Sequence, residues 1–248
     1  MVRYLRAMKY ILFSLLILTH FGYSQQFHVF DVDPMPELVS NNAVSGSTTL
    51  IDSYIYSFCG IDSTLIYSGI HLKSWKYSAL QNKWSALPDV PDTKGKIAAS
   101  ASTIGSTIYI IGGYHVEANG SEISSNKVHR FDIALDSFLT DGSPIPTAID
   151  DQVQAVWRDS LIYVITGWSN TTNVNKVQIY NPSSDSWTHG TAVPNFGNFK
   201  AFGASGTIIG DTIFYYGGAS ASSGFPILDK ISMGIIDPND PTKITWRN

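Results

Sequence analysis

An apolar strand that ends in glycine occurs four times in this 248-residue chain, at nearly constant spacing. The copies run Tyr54-Ile-Tyr-Ser-Phe-Cys-Gly60, Thr107-Ile-Tyr-Ile-Ile-Gly-Gly113, Leu161-Ile-Tyr-Val-Ile-Thr-Gly167 and Thr212-Ile-Phe-Tyr-Tyr-Gly-Gly218. Their last glycines stand 53, 54 and 51 residues apart, and each copy is followed by an aromatic: Trp84, Phe138, Trp187 and Trp246. A period near fifty means one supersecondary unit copied in series, because a single copy cannot bury its own apolar face. The chain is therefore one array rather than a set of unlike domains.

Each unit divides into four short β segments. They are 43–50, 54–58, 72–77 and 83–87 in the first unit, and 97–104, 107–111, 127–131 and 137–140 in the second. The third has 153–158, 161–165, 176–180 and 186–190, and the fourth 200–208, 212–216, 230–236 and 244–247. Two-residue polar turns, Asp52-Ser53, Gly105-Ser106, Asp159-Ser160 and Gly210-Asp211, suit hairpins between the first and second strands. Tyr77/Trp84, Phe131/Phe138 and Tyr180/Trp187 are all seven apart, the mark of a fixed hairpin register. In the fourth unit Ile236 is the expected counterpart of Trp246, with an insertion around Pro238 and Pro241. Recurrence of the aromatics at equivalent positions favours packing between units over a stacking platform.

A strand ending in Gly-Gly, then a Tyr-Asp-like strand end, then Trp resembles the kelch repeat. Gly112-Gly113 and Gly217-Gly218 carry the full doublet, while Cys59-Gly60 and Thr166-Gly167 keep its second half. The resemblance covers nearly all of the chain after its N-terminus. It implies an all-β, kelch-type β-propeller of four-stranded blades, about 43–91, 97–146, 152–194 and 200–248. Residues 27–36 look like an orphan outer strand that closes a further blade. Kelch propellers usually have six or seven blades, so the expectation is an incomplete ring that self-associates through open blade faces; the alternative is a small closed ring.

The N-terminus reads as a secretory signal peptide over 1–24. Arg3, Arg6 and Lys9 precede a short apolar stretch, and Gly22-Tyr23-Ser24 offers a cleavage site before Gln25. The apolar run is shorter than the ~20 residues that a membrane-crossing helix needs. The expected location is secreted or periplasmic, with the fold beginning at 25. A single cysteine, Cys59, leaves no disulfide within the chain and reads as a buried filler at a glycine position. Net charge −4 with no basic block excludes a nucleic-acid footprint.

The glycine ends also fix the phase of the blades. Loops 61–71, 114–126, 168–175 and 219–229, with linkers 87–95, 141–151 and 191–199, all leave one face, while the other carries short turns. Loops carry recognition, so the long-loop face is the expected binding surface. Tyr114, His115, Glu117, Glu122, Asp150, Asp151 and Trp168 stand on it, with Lys96 and Lys200 near the starts of inner strands. The expected function is non-catalytic binding of a protein or carbohydrate, without cofactor or metal, because the six histidines show no ligand spacing. Cys59 lies inside an apolar strand, which argues against the copper oxidases of this family type and their cysteine–tyrosine cross-link. The competing expectation, by resemblance, is an exported sugar-processing enzyme similar to N-acetylneuraminate epimerase, with Glu117, Asp150 or Asp151 as acid–base groups. Two sequons, at Asn119 and Asn170, lie in the same loops.

Overall fold

A computed structural model describes residues 31–197 and 199–247. The architecture below is that of one compact unit, Asp33–Asn248. The segment read as a signal peptide, and residues 27–30 of the expected orphan strand, lie outside the described residues. Residues 31–36 run without strand structure, and a two-residue strand β1 (Val39–Ser40) follows. No helix among the described residues is long and apolar enough to cross a membrane.

Four antiparallel sheets follow in series. The first holds β2 (Ala43–Thr48), β3 (Ser53–Asp62), β4 (Ile70–Ser78) and β5 (Lys83–Leu87), with β1 paired to the end of β3. The second holds β6 (Ile97–Ile104), β7 (Thr107–Val116), β9 (Val128–Asp132) and β10 (Ser137–Phe138), and a short β8 (Glu122–Ser124) extends β7 as a hairpin. The third holds β11 (Val153–Trp157), β12 (Leu161–Ile165), β15 (Val177–Asn181) and β16 (Ser186–His189); a separate ribbon of β13 (Trp168–Ser169) and β14 (Thr172–Asn173) rises between β12 and β15. The fourth holds β17 (Ser205–Ile209), β18 (Thr212–Tyr216), β19 (Ile231–Asp237) and β20 (Asp240–Arg247). This is the four-bladed series expected from the repeat.

Register explains the constant seven. Tyr77 lies across from Trp84, Phe131 from Phe138, and Tyr180 from Trp187. The fourth blade differs from expectation, because Gly234 and not Ile236 lies across from Trp246. A register shift at Ile236/Asp237 lengthens the hairpin instead of inserting a loop, and Pro241 sits inside β20. Gly234 leaves room for the indole: a Cβ there would lie 2.6 Å from Trp246 Cζ3. The tight two-residue turn forms at Gly105-Ser106 and Gly210-Asp211, whereas Thr48 pairs with Ser53 and Trp157 with Leu161 across longer connections. The fourth inner strand begins at Ser205 rather than 200, since the chain turns at Gly203 with φ +68°.

Alternation along the second strand of each blade sends side chains to both neighbours. Tyr56 and Phe58 face blade 2 and meet Phe131, the Phe58–Phe131 rings standing 5.4 Å apart. Tyr109, Ile111 and Val128 meet Ile162, Val164 and Tyr180 of blade 3. Tyr163, Ile165, Val177 and Ile179 meet Ile213, Tyr215, Ile236 and Ile244 of blade 4. Fully burying each such side chain is worth about 1.5–3 kcal/mol, so the blade interfaces are the core. The recurring tryptophans lock the linkers to them. Trp187 Nε1 donates to Ser143 O at 2.8 Å, Trp246 Nε1 to Thr191 O at 3.0 Å, and Trp84 Nε1 to Asp33 O at 3.0 Å. Asp33 N donates to Asn82 Oδ1 as Ser143 N does to Asp185 Oδ1, so Asp33 occupies the linker position of a preceding repeat.

Near the start of each inner strand one residue adopts the left-handed region: Asn41, Ala98, Asp151 and Gly203, with φ between +50° and +68°. These four form a backbone ladder. Ala98 N donates to Asn41 O, Asp151 N to Ala98 O, and Gly203 N to Asp151 O. The glycine ends close in on the same region; a Cβ on Gly112 would lie 2.3 Å from Ile149 O, and its φ is +70°. Asp151 is thus fixed by the fold at the start of blade 3, on the long-loop face.

Candidate acid–aromatic cavity

Tyr114, Glu122, Asp150, Asp151, Trp168, Phe202, Ala219 and Phe225 surround a cavity of about 350 Å3 on that face. Five pieces of chain converge there. The β7–β8 hairpin brings Tyr114 and Glu122, and the linker into blade 3 brings Asp150 and Asp151. The β13–β14 ribbon brings Trp168, which exchanges two backbone hydrogen bonds with Asp150 at 2.8 and 2.9 Å. Phe202 comes from the linker into blade 4 and bridges to Ala219 in the loop after β18. Phe225 comes from that same loop.

Phe225 holds φ +47°, a conformation that a bulky residue adopts at a cost of order 1–3 kcal/mol. It is 55% exposed and forms the rim. Trp168, Phe202 and Phe225 stand edge to face, with ring centroids 5.1 Å (Trp168–Phe202), 5.8 Å (Phe202–Phe225) and 6.1 Å (Trp168–Phe225) apart. The three rings make one apolar wall.

The opposite chemistry lies on the other wall. Asp150 is only 2% exposed, and its Oδ2 accepts a hydrogen bond from Ser124 Oγ at 2.5 Å. Ser124 is itself held by Asn170, whose N–H donates to Ser124 Oγ at 2.7 Å and whose Oδ1 accepts from Ser124 N at 3.1 Å. Burial pushes the Asp150 carboxyl up to about 7; the Ser124 bond opposes this, and the charges of Asp151 and Glu122 add to it. Asp151 is raised by burial and by Glu122. Burial, then the charges of Glu122, Asp151 and Asp150, push the Tyr114 phenol up to about 12. Every charge that raises these three groups is a carboxylate.

Five of the expected face residues, Tyr114, Glu122, Asp150, Asp151 and Trp168, therefore meet in one place. His115 and Glu117 do not join them. Alternation along β7 turns them to the other side of the hairpin, where Glu117 pairs with Lys94 and lies 3.3 Å from His115 Nε2. Lys96 is 1% exposed and belongs to a buried clamp. Its Nζ lies 2.9 Å from Asp92 and 3.0 Å from His129 Nε2, while His129 Nδ1 lies 2.9 Å from Asp141. Burial works against the Asp92 charge, yet hydrogen bonds from His129 and Lys96 outweigh it and hold the carboxyl well below its ordinary value. The clamp joins the linkers before and after blade 2. Lys200 instead lines a second, polar cavity of about 420 Å3 with Asn173, Asn195 and Ser220. Phe202, Phe225 and Ser124 escape sequence reasoning, and Asn170 enters it only as a sequon; for the aromatics the one local signal is the Gly224-Phe225 pair in a loop that otherwise reads as solvated.

Residues 158–193 match the Kelch motif family. They run from the turn before β12 to the linker after β16, one full glycine-to-tryptophan unit. The human Kelch repeat and BTB domain-containing protein 2 is 31% identical over 166 residues, 67% of this chain and 23% of that protein. The chain is a kelch-repeat protein. Bovine Kelch-like protein 36 is 25% identical over 117 residues, covering 47% of this chain and 18% of that one. The kelch chain thus spans about a fifth of the length of these curated relatives. The solved structure of YjhT shares its fold, with TM-score 0.66 over 86% of this chain and 66% of the other, at 18% identity.

Proposed function

We propose that this kelch chain is an exported, non-catalytic binding module that holds a protein or glycan on its long-loop face, at the acid–aromatic cavity. Kelch repeats suggest a protein-interaction module. The observation that carries the choice of site is the cavity itself, in which a rigid aromatic wall faces carboxyls that the fold keeps poorly solvated. Concave sites with an apolar lining and a few fixed polar groups are where ligands bind. Export is inferred from the basic and apolar pattern of 1–24, and N-terminal sequencing of the mature protein starting at Gln25 checks it. Blade 4 exposes Tyr216, Ile231 and Ile235 on its outward face, which supports self-association there.

The test is selection of a displayed random-peptide library, and a glycan array, against the wild type and Trp168→Ala. Ligands retained by the wild type and lost by the variant support the reading. Ligands that bind both proteins equally, or none at all, overturn it.

One observation favours a second reading, an exported sugar-processing enzyme similar to N-acetylneuraminate epimerase. A buried carboxyl pushed up to about 7 by its surroundings, like that of Asp150, suits general acid–base chemistry. Proton NMR of N-acetylneuraminate anomers with and without the protein separates the two: faster mutarotation, lost in Asp150→Asn, selects the enzyme.

A further inference from the structure

We infer that the cavity receives an alkylammonium group, the charged end of a lysine-type side chain presented by the partner. This rests on the reading of the cavity as the binding site and names its ligand chemistry.

Charge balance argues first. Asp150, Asp151 and Glu122 line the cavity, and among the described residues no cationic side chain lines it with them. Hydrogen bonding argues second. Asp150 is almost wholly buried, and one of its oxygens accepts from Ser124 while the other has no donor among the described residues. The Asp151 carboxyl has none either, although burial raises its pKa. Asp151 is half-buried, and neither carboxylate has a donorless oxygen fully cut off from solvent. Holding both charges in a poorly solvated cavity with so few protein donors is still costly, and a ligand that brings N–H groups and positive charge offsets that cost.

The aromatic wall decides between kinds of cation. Trp168, Phe202 and Phe225 offer π surface for a cation and apolar surface for a methylene arm. Among the described residues no cluster of three His, Cys, Asp or Glu side chains is placed to hold a metal ion, so a compact dication fits poorly. A guanidinium binds best as a fork on both oxygens of one carboxylate. Ser124 already occupies one oxygen of Asp150 and leaves a fork only Asp151, whereas the point charge and three donors of an ammonium can also use the single open oxygen of Asp150. Anions are repelled, and an uncharged sugar leaves the carboxylates uncompensated.

The test titrates the wild type with Nα-acetyl-lysine methylamide, its Nε-acetylated form and Nα-acetyl-arginine methylamide, followed by calorimetry and by the Trp168 indole resonance. The lysine probe is expected to saturate at least about tenfold more tightly than the Nε-acetylated form, about 1.4 kcal/mol. Asp151→Asn and Asp150→Asn should each weaken it about tenfold or more, with thermal melts confirming that both variants fold; Glu117→Gln, outside the cavity, should leave it unchanged. Equal binding of the two lysine forms, tighter binding of the arginine probe, or no saturable binding overturns the inference. If selected ligands still depend on Trp168 while the lysine probe fails, the ligand chemistry is wrong and the site stands. If both fail, the site itself is wrong.

Discussion

Asp150→Asn should make this protein more stable above neutral pH, even as it impairs the cavity. The asparagine keeps the shape of the side chain and can still accept from Ser124, so the change removes chiefly a charge. The wild-type carboxyl moves from 3.8 to about 7 on folding, with burial as the largest cause. At full ionisation that shift opposes folding by on the order of 4 kcal/mol. The sign follows from which form the fold prefers. A raised carboxyl pKa means the folded state favours the protonated form, so the penalty is absent below the unfolded value. It grows as pH rises from about 4 and is complete above about 7. Asp151 is also raised but is common to both proteins, so the difference between them isolates Asp150 and its repulsion of Asp151. Urea unfolding of both proteins at several pH values from about 4 to 8 measures it. The difference should be small at pH 4 and reach about 2–4 kcal/mol in favour of the variant at pH 8. A difference that does not change with pH, or a variant less stable at pH 8, would refute the assignment of an uncompensated carboxyl.

Four further outcomes follow from the fold and its packing. Cys59 is buried, and burial pushes its thiol up to about 11, so a disulfide-exchange reagent should not label it until the protein unfolds; labelling of the native protein within minutes contradicts this. Lys96→Met should cost about 3–5 kcal/mol by stranding the buried Asp92 charge, read as a loss in urea midpoint. The stabilising contribution of Asp92 is present above the unfolded carboxyl pKa and should fade as pH falls below about 4, which acid titration followed by circular dichroism tests. Gly234→Ala should destabilise blade 4 by about 1–3 kcal/mol, because the new methyl meets Trp246 and Ile244; an unchanged melting temperature removes the packing argument.

The fold was legible because it repeats. Glycine ends, paired aromatics at seven and hairpin turns each recur, so every blade checks the others, and strand positions agree to within a few residues. Ile236 was mismatched with Trp246 because a bulge breaks the spacing, and spacing was the only guide there. The site was legible by halves. Tyr114, Asp150, Asp151 and Trp168 sit at fixed phases of the repeat, so the blade phase alone puts them on one face. Phe202 and Phe225 come from blade 4 and reach blade 3 only through tertiary packing, which no local pattern records. The alternation that removes His115 and Glu117 depends on β7 continuing past its glycines to Val116, beyond the 107–111 that the sequence pattern gives. The Lys96–His129 clamp joins residues 33 apart through a buried charge network, and a lone lysine at a strand start carries no trace of it.

The account stands most directly on the claim that the repeat phase gathers function on the long-loop face. Hydrogen exchange of the protein with and without a peptide selected from the displayed library measures this. The account predicts slowed exchange in segments 114–126, 150–151, 168–175 and 219–229, with none at the turns 105–106 and 210–211 on the opposite face. Protection at those turns, with the cavity segments unchanged, would contradict it.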